Sequence, residues 1–151
     1  MVNKAAAETP ETDASGQTAT ASEVNMSRKL VAENEIKDYV IASVAAGIVP
    51  VPAFDIAAVI AIQLRMIQRL SELYGKPFSD NAARNTLSAL ASLPVVSGAS
   101  TYAIGRSIIK HYEGGGSLFD ISASDLSSYY KEQFEKGKQL AAEAKLRKAA
   151  A

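Results

Sequence analysis

A chain of 151 residues suits one modest domain with tails, and with 48% hydrophobic and 21% charged residues it can form a core. Sixteen Lys and Arg against sixteen Asp and Glu leave no overall charge that argues for a nucleic-acid partner. The absence of cysteine excludes a disulfide framework and a thiolate zinc site, and a single histidine, His111, excludes a histidine-cluster metal site.

Residues 1–24 carry Lys4 against Glu8, Glu11, Asp13 and Glu23 among many Ala, Thr and Ser. That composition buries too little apolar area to offset ordering entropy, so a disordered tail is expected there. No apolar run follows the start, so no signal peptide is expected either. From Ser27 the pattern turns helical. Leu30, Ile36, Val40, Ile41, Val44 and Ile48 form an apolar stripe, with Glu33, Glu35, Lys37 and Asp38 on a wet face, and predict a first helix over about 28–48.

Val49-Pro50-Val51-Pro52 must turn the chain, because each proline lacks a backbone donor and disfavours helix in the residue before it. A second helix is expected to start between Ala53 and Ile56 and to run to Tyr74. Its stripe is Ile56, Val59, Ile60, Gln63, Ile67, Leu70 and Tyr74, with Arg65, Gln68, Arg69 and Glu72 opposite. Gly75 is placed as the helix stop and Pro77 prevents continuation. Phe78-Ser79 reads as a staple residue and N-cap for a third helix over about 80–92. Pro94 ends it. A fourth helix over about 97–112 stops at Gly114-Gly115-Gly116, and Leu118 and Phe119 are expected to fold back on the core. A last helix begins near Ser124, with Leu126, Tyr130, Phe134, Gly137 and Leu140 inward and a fraying basic end. No segment alternates as a strand does. The expected fold is all-α: about five helices in antiparallel pairs forming a small bundle over residues 25–143, with a basic tail at 144–151.

Asp55 is the lone charge in the apolar stretch AGIVPVPAFDIAAV, residues 46–59. It is read as an N-cap, where its carboxylate would accept an orphan backbone N–H. Gln63, polar within an apolar stripe, is read as an amide bonding across a helix pair. His111 sits at a helix end where a cation is mildly favoured, and a lone histidine with no Ser, Cys or second His identified as its partner is poor evidence for catalysis. The triple glycine follows a helix instead of opening one, so it lacks the setting of a phosphate loop. Arg65, Arg69, Arg106 and Lys110 read either as a basic face toward lipid headgroups or as solvated surface. Residues 39–54 and 85–105 are uncharged, but prolines break the first and many hydroxyls weaken the second, so neither makes a good spanning helix. Ser43-x-x-x-Gly47 and Ala57-x-x-x-Ala61 allow close helix approach.

The block IVPVPAFDIAAVIAIQLRMIQRLSELYGKPFS, followed by SGASTYAIGRSIIKHYEGGGSLFD and YYKEQFEKGKQLA, resembles domain-of-unknown-function family 697 over roughly residues 36–142. Pro52, Asp55, Gln63, Tyr74 and Gly75 match its first motif. Ser100, Thr101, Tyr102, Gly105, His111 and Gly115 match its second. The family pattern has a longer glycine-rich apolar segment between the two blocks; here NTLSAL runs almost directly into ASLPVVSGAS. The resemblance implies a bacterial, membrane-associated protein without established activity, linked to Era-like GTPases. The function expected is a non-enzymatic helical interaction module without cofactor, in the bacterial cytoplasm or on the cytoplasmic face of the inner membrane. Its partner is another protein, a second copy of itself or a membrane surface. Two alternatives remain: a soluble self-associating scaffold, and a small-ligand or ion site on Asp55, Gln63 and His111. The motif set carried forward is Pro50, Pro52, Asp55, Gln63, Tyr74, Gly75, Tyr102, His111 and Gly115.

Overall fold

The computed structural model describes residues 11–12, 18–47, 52–90 and 97–150, and the side chains of 52–55 fall outside that description. Five helices account for most of it: α1 Ala21–Ala46, α2 Pro52–Tyr74, α3 Asp80–Leu90, α4 Ser97–Glu113 and α5 Ala123–Ala150. The 3-10 turn Leu118–Asp120 links α4 to α5. Ahead of α1, Glu11–Thr12 and Thr18–Ala19 pair as a two-residue antiparallel ladder.

Helix α1 begins at Ala21, seven residues before the start expected at about 28 and inside the stretch expected to be a disordered tail, because Thr20 caps it. The Thr20 hydroxyl accepts the Glu23 N–H at 3.2 Å, and the Glu23 carboxylate accepts the Thr20 N–H at 2.8 Å. This reciprocal capping box satisfies two orphan donors, so a polar sequence enters the helix. Ala32, Ile36, Val40, Ser43 and Val44 form its buried face. Leu30 and Ile41, expected in that stripe, are exposed.

The arginine, serine and aromatic contacts fix the helix directions. Glu35 of α1 meets Arg69 of α2 at 3.2 Å, and Ser43 shares a network with Gln63, so α1 and α2 are antiparallel. Gln63 meets Ser100, and Ser71 meets Tyr112, so α2 and α4 run the same way. Gly98 lies against Ala141 and Lys110 over Tyr129, so α4 and α5 are antiparallel. Helix α4 is the spine, packed on α5, α1 and α2, while α3 rests on α2, α5 and the 3-10 turn.

Close approach requires the small residues of α4. A Cβ on Gly98 would lie 2.7 Å from Ala141 Cβ, and one on Gly105 would lie 2.8 Å from Ile36 Cγ1. On α5, a Cβ on Gly137 would lie 2.8 Å from the Ala99 carbonyl oxygen. Around this seam Ile36, Met66, Ile67, Leu70, Ile108, Ile109 and Tyr130 fill the core.

Gly75 (φ +62°) and Gly115 (φ +90°) end α2 and α4 in the left-handed conformation that favours glycine. After Gly75, the Lys76 N–H returns to Ser71 O at 2.8 Å; after Gly115, the Gly116 N–H returns to His111 O at 3.0 Å. Both ends therefore satisfy their last carbonyls in the same Schellman pattern. Ser79 caps α3 as expected, accepting the Ala82 N–H at 3.3 Å. The C-terminal segment expected to fray continues α5 to Ala150, with Ala144 buried.

Candidate functional site

The first built feature is a buried polar cluster where α1, α2 and α4 meet. Gln63 Nε2 donates to Ser100 Oγ at 3.2 Å and to Thr101 Oγ1 at 3.1 Å. Thr101 Oγ1 lies 2.8 Å from Ser43 Oγ of α1. Gln63 is where the sequence places it, across a helix pair. The cluster holds hydroxyls and an amide and no titratable group, so it has no general base to activate a hydroxyl. What it supplies is register: three helices must align for all three bonds to form.

The second feature lies at the far end of α2 and α4. Ser71 Oγ donates to Ile67 O at 2.8 Å, and Tyr112 OH lies 2.6 Å from Ser71 Oγ. Because the one serine proton is committed to Ile67, the tyrosine is the donor in that pair. Tyr74 OH donates to Glu113 Oε2 at 3.1 Å. Burial first, then the Glu113 carboxylate, pushes the Tyr74 hydroxyl well above the ordinary tyrosine range, so it stays a donor. Asn25, Arg28, Tyr74, Lys76, Tyr112 and Glu113 line an open cleft of about 350 Å³ there.

His111 works locally. Its Nε2 lies 2.6 Å from Asp120 Oδ1 and 2.9 Å from Ser117 O, clasping the turn after the glycines. The Ser117 N–H, and after it His111, holds the Asp120 carboxyl below its usual range. Among the described residues no group of three or more His, Cys, Asp or Glu is arranged to hold a metal ion.

Asp55, Gln63 and His111 do not converge. Asp55 precedes Gln63 by eight residues, about 12 Å of helix, and His111 follows Thr101 by ten, about 15 Å the other way. Asp55 is also not an N-cap. Helix α2 starts at Pro52, whose fixed φ and missing N–H suit a first helical position, which puts Asp55 inside the first turn. Its side chain, that of Pro52, and all of Pro50 lie outside the described residues.

The chain matches the family described as Domain of unknown function (DUF697) over residues 12–122. It belongs to that family. It is also 54% identical over 157 residues to "Magnetosome membrane protein 22" of Magnetospirillum gryphiswaldense (strain DSM 6361 / JCM 21280 / NBRC 15271 / MSR-1), spanning 84% of this chain and 80% of that protein. As 84% of 151 residues is about 127, about 30 of the 157 aligned positions are residues of the relative without a counterpart here. No solved structure matches the chain.

The two DUF697 motifs meet inside this molecule. Gln63 of the first bonds Ser100 and Thr101 of the second, while Gly75 and Gly115 close the two parallel helices in the same way. Tyr102, half-buried, contributes the Cβ that approaches Gly137. Sequence reasoning placed Ser43 in a close-approach motif but missed its hydrogen bond, and it missed Ser71, Tyr112 and the inter-helix pairs Glu35–Arg69 and Glu33–Arg106. The signal for Ser43 and Ser71 was present, as each interrupts an apolar face at helical spacing.

The four cations read either as a basic face or as solvated surface do not act as one group. Arg69 pairs with Glu35, Arg106 with Glu33, and Lys110 lies 4.2 Å from the Tyr129 ring centroid. Arg65 is left exposed.

Proposed function

We propose that this chain is a non-enzymatic helical module that docks peripherally on a membrane through one end of its bundle. The observation that carries the reading is the exposure of Ile56 (66%), Ile60 (37%) and Ile41 (42%) where α2 begins and α1 ends. The described residues 39–47 at the end of α1 carry no charge, and Ala57 and Ala61 are exposed beside the isoleucines. Met26, Leu30, Val31 and Phe119 are exposed at the opposite end. What sets this end apart is that its isoleucines sit in stretches without charge, 39–47 and 56–64, and exposed apolar groups so placed mark an interaction surface. Beyond the Gly98–Ala141 contact, α5 continues over that end with exposed Lys145 and Arg147, cations suited to anionic headgroups. The relative's printed name, a magnetosome membrane protein, supports a membrane setting for this chain as well.

Docking, not spanning, is the mode. Among the described residues no helix is long and apolar enough to cross a membrane. The bacterial inner membrane and a GTPase-linked system as the working context rest on family resemblance.

The test is flotation of the purified chain with phosphatidylcholine vesicles with and without an anionic lipid, beside light scattering in buffer. The reading expects flotation that needs the anionic lipid. A defined oligomer that ignores vesicles would favour a second reading, a self-associating scaffold. The exposed Ala57-x-x-x-Ala61 face, small enough for close helix pairing, is the feature on its side.

A further inference from the structure

The cleft at the other end of the bundle has a different character. Its walls are α1 near its start, α2 at its end and α4 at its end, and two of its six lining residues are cations. Arg28 bonds only the Asn25 amide, at 3.3 Å, and lies 5.7 Å from the Tyr74 ring centroid. Lys76 has its backbone tied to Ser71 O at 2.8 Å, which fixes where its side chain starts. Neither cation has a carboxylate partner among the described residues. Arg69, Arg84, Arg106, Lys136 and Lys138 are paired with acids, whereas Lys29, Lys37, Arg65, Lys131, Lys145 and Arg147 form no such pair among the described residues; what distinguishes Arg28 and Lys76 is that both line one cleft. The one carboxylate in the cleft, Glu113, already accepts the Tyr74 hydroxyl. Asp120, the next acid within reach of Lys76, is held by His111 and the Ser117 N–H.

We propose that this cleft binds a small soluble phosphoryl dianion, held between Arg28 and Lys76. The Arg28 guanidinium presents a planar fork of donors and the Lys76 ammonium a mobile point charge, the combination that suits a tetrahedral oxyanion. Two cations match a dianion better than a carboxylate. The cleft lies about 16 Å along α2 from Gln63, and farther still from the isoleucines of the apolar end. On the docking reading above, a lipid surface touching the isoleucine end does not reach the cleft, and the phosphoryl group then belongs to a soluble compound.

The experiment is thermal unfolding of the full chain with inorganic phosphate and pyrophosphate, against chloride at matched ionic strength. The proposal expects a saturable rise in melting temperature of about 3 °C or more. It expects that rise to vanish in Lys76→Gln and in Arg28→Gln and to persist in Arg84→Gln, whose arginine pairs with Asp80 on α3. Lys76→Gln carries the test if loss of the Arg28–Tyr74 contact weakens the fold. A rise that is linear in salt, equal in chloride, or intact in both cleft variants overturns the proposal. Vesicles containing phosphatidate separate the sources: wild type and Arg28→Gln are expected to bind them equally. Loss of vesicle binding in Arg28→Gln alone would assign the site to lipid headgroups and overturn the soluble ligand.

Discussion

From Gly98 to Gly105, α4 meets its neighbours mainly through glycine, alanine and hydroxyl side chains, with Ile104 buried among them; from Arg106 to Glu113 it meets them through an ion pair, the Tyr112–Ser71 hydrogen bond, a lysine over a ring and two isoleucines. The first half lets backbones touch, and its specificity lies in hydrogen bonds that only a matched register forms. The second half meets its neighbours through longer side chains, and a cleft lies beside Tyr112. One helix thus serves as a tight seam at the apolar end and an open polar bracket at the other. The difference separates the two ends by their packing: small residues close the first, and long side chains line the cleft at the second, where Arg28 and Lys76 stand.

The seam is where substitution does most harm. Gly137→Ala puts a methyl 2.8 Å from the Ala99 carbonyl, a backbone atom that cannot swing away. It is expected to cost about 2–3 kcal/mol of stability by chemical denaturation. A cost near zero would mean α4 and α5 are not in close contact. Gln63→Met keeps the volume and removes both bonds to α4, so a loss of about 1–2 kcal/mol is expected. The bracket is softer. Arg106→Met removes the Glu33 pair, and its effect is expected to be smaller than that of Gly137→Ala, which a side-by-side urea titration checks.

These contrasts also show what the sequence makes legible. The helices, their stops at Gly75 and Gly115 and the Ser79 cap follow from local chemistry, because periodicity and left-handed glycines act within a few residues. The early start of α1 was legible too, in Thr20 followed by Glu23, but composition argued the other way and was given more weight. The role of Gln63 was readable as a cross-helix amide, while its partners were not. Partner choice depends on which helices lie side by side, a tertiary fact without a local signature. The exposure of Ile56 and Ile60 was hidden for a related reason: an apolar stripe looks the same whether it faces a core or a solvent boundary. The cleft was invisible, since Arg28 and Lys76 lie 48 positions apart and meet only through the fold.

Two smaller effects sharpen the account. Thr20→Ala removes the capping hydroxyl and is expected to cost about 1 kcal/mol, read as lower helicity of α1 and a lower melting temperature. Burial pushes the Tyr130 hydroxyl up to about 12. Its neutral form is favoured in the fold, so this contribution is complete below about pH 10, where an unfolded tyrosine titrates, and is lost as pH rises toward about 12. Stability measured from pH 8 to 11 is expected to fall, and Tyr130→Phe is expected to fall less steeply. An identical slope in both would contradict the burial of that hydroxyl.

The chain contains no tryptophan, so one introduced residue reports its own surroundings. Ile56 and Phe119 are similarly exposed, at 66% and 63%, and stand at opposite ends of the bundle. The measurement is fluorescence of Ile56→Trp and Phe119→Trp with vesicles containing anionic and brominated lipids. Docking through the apolar end predicts a blue-shifted, bromine-quenched emission for Ile56→Trp and an unchanged one for Phe119→Trp. Equal spectra in the two variants, or a shift confined to Phe119→Trp, would contradict it.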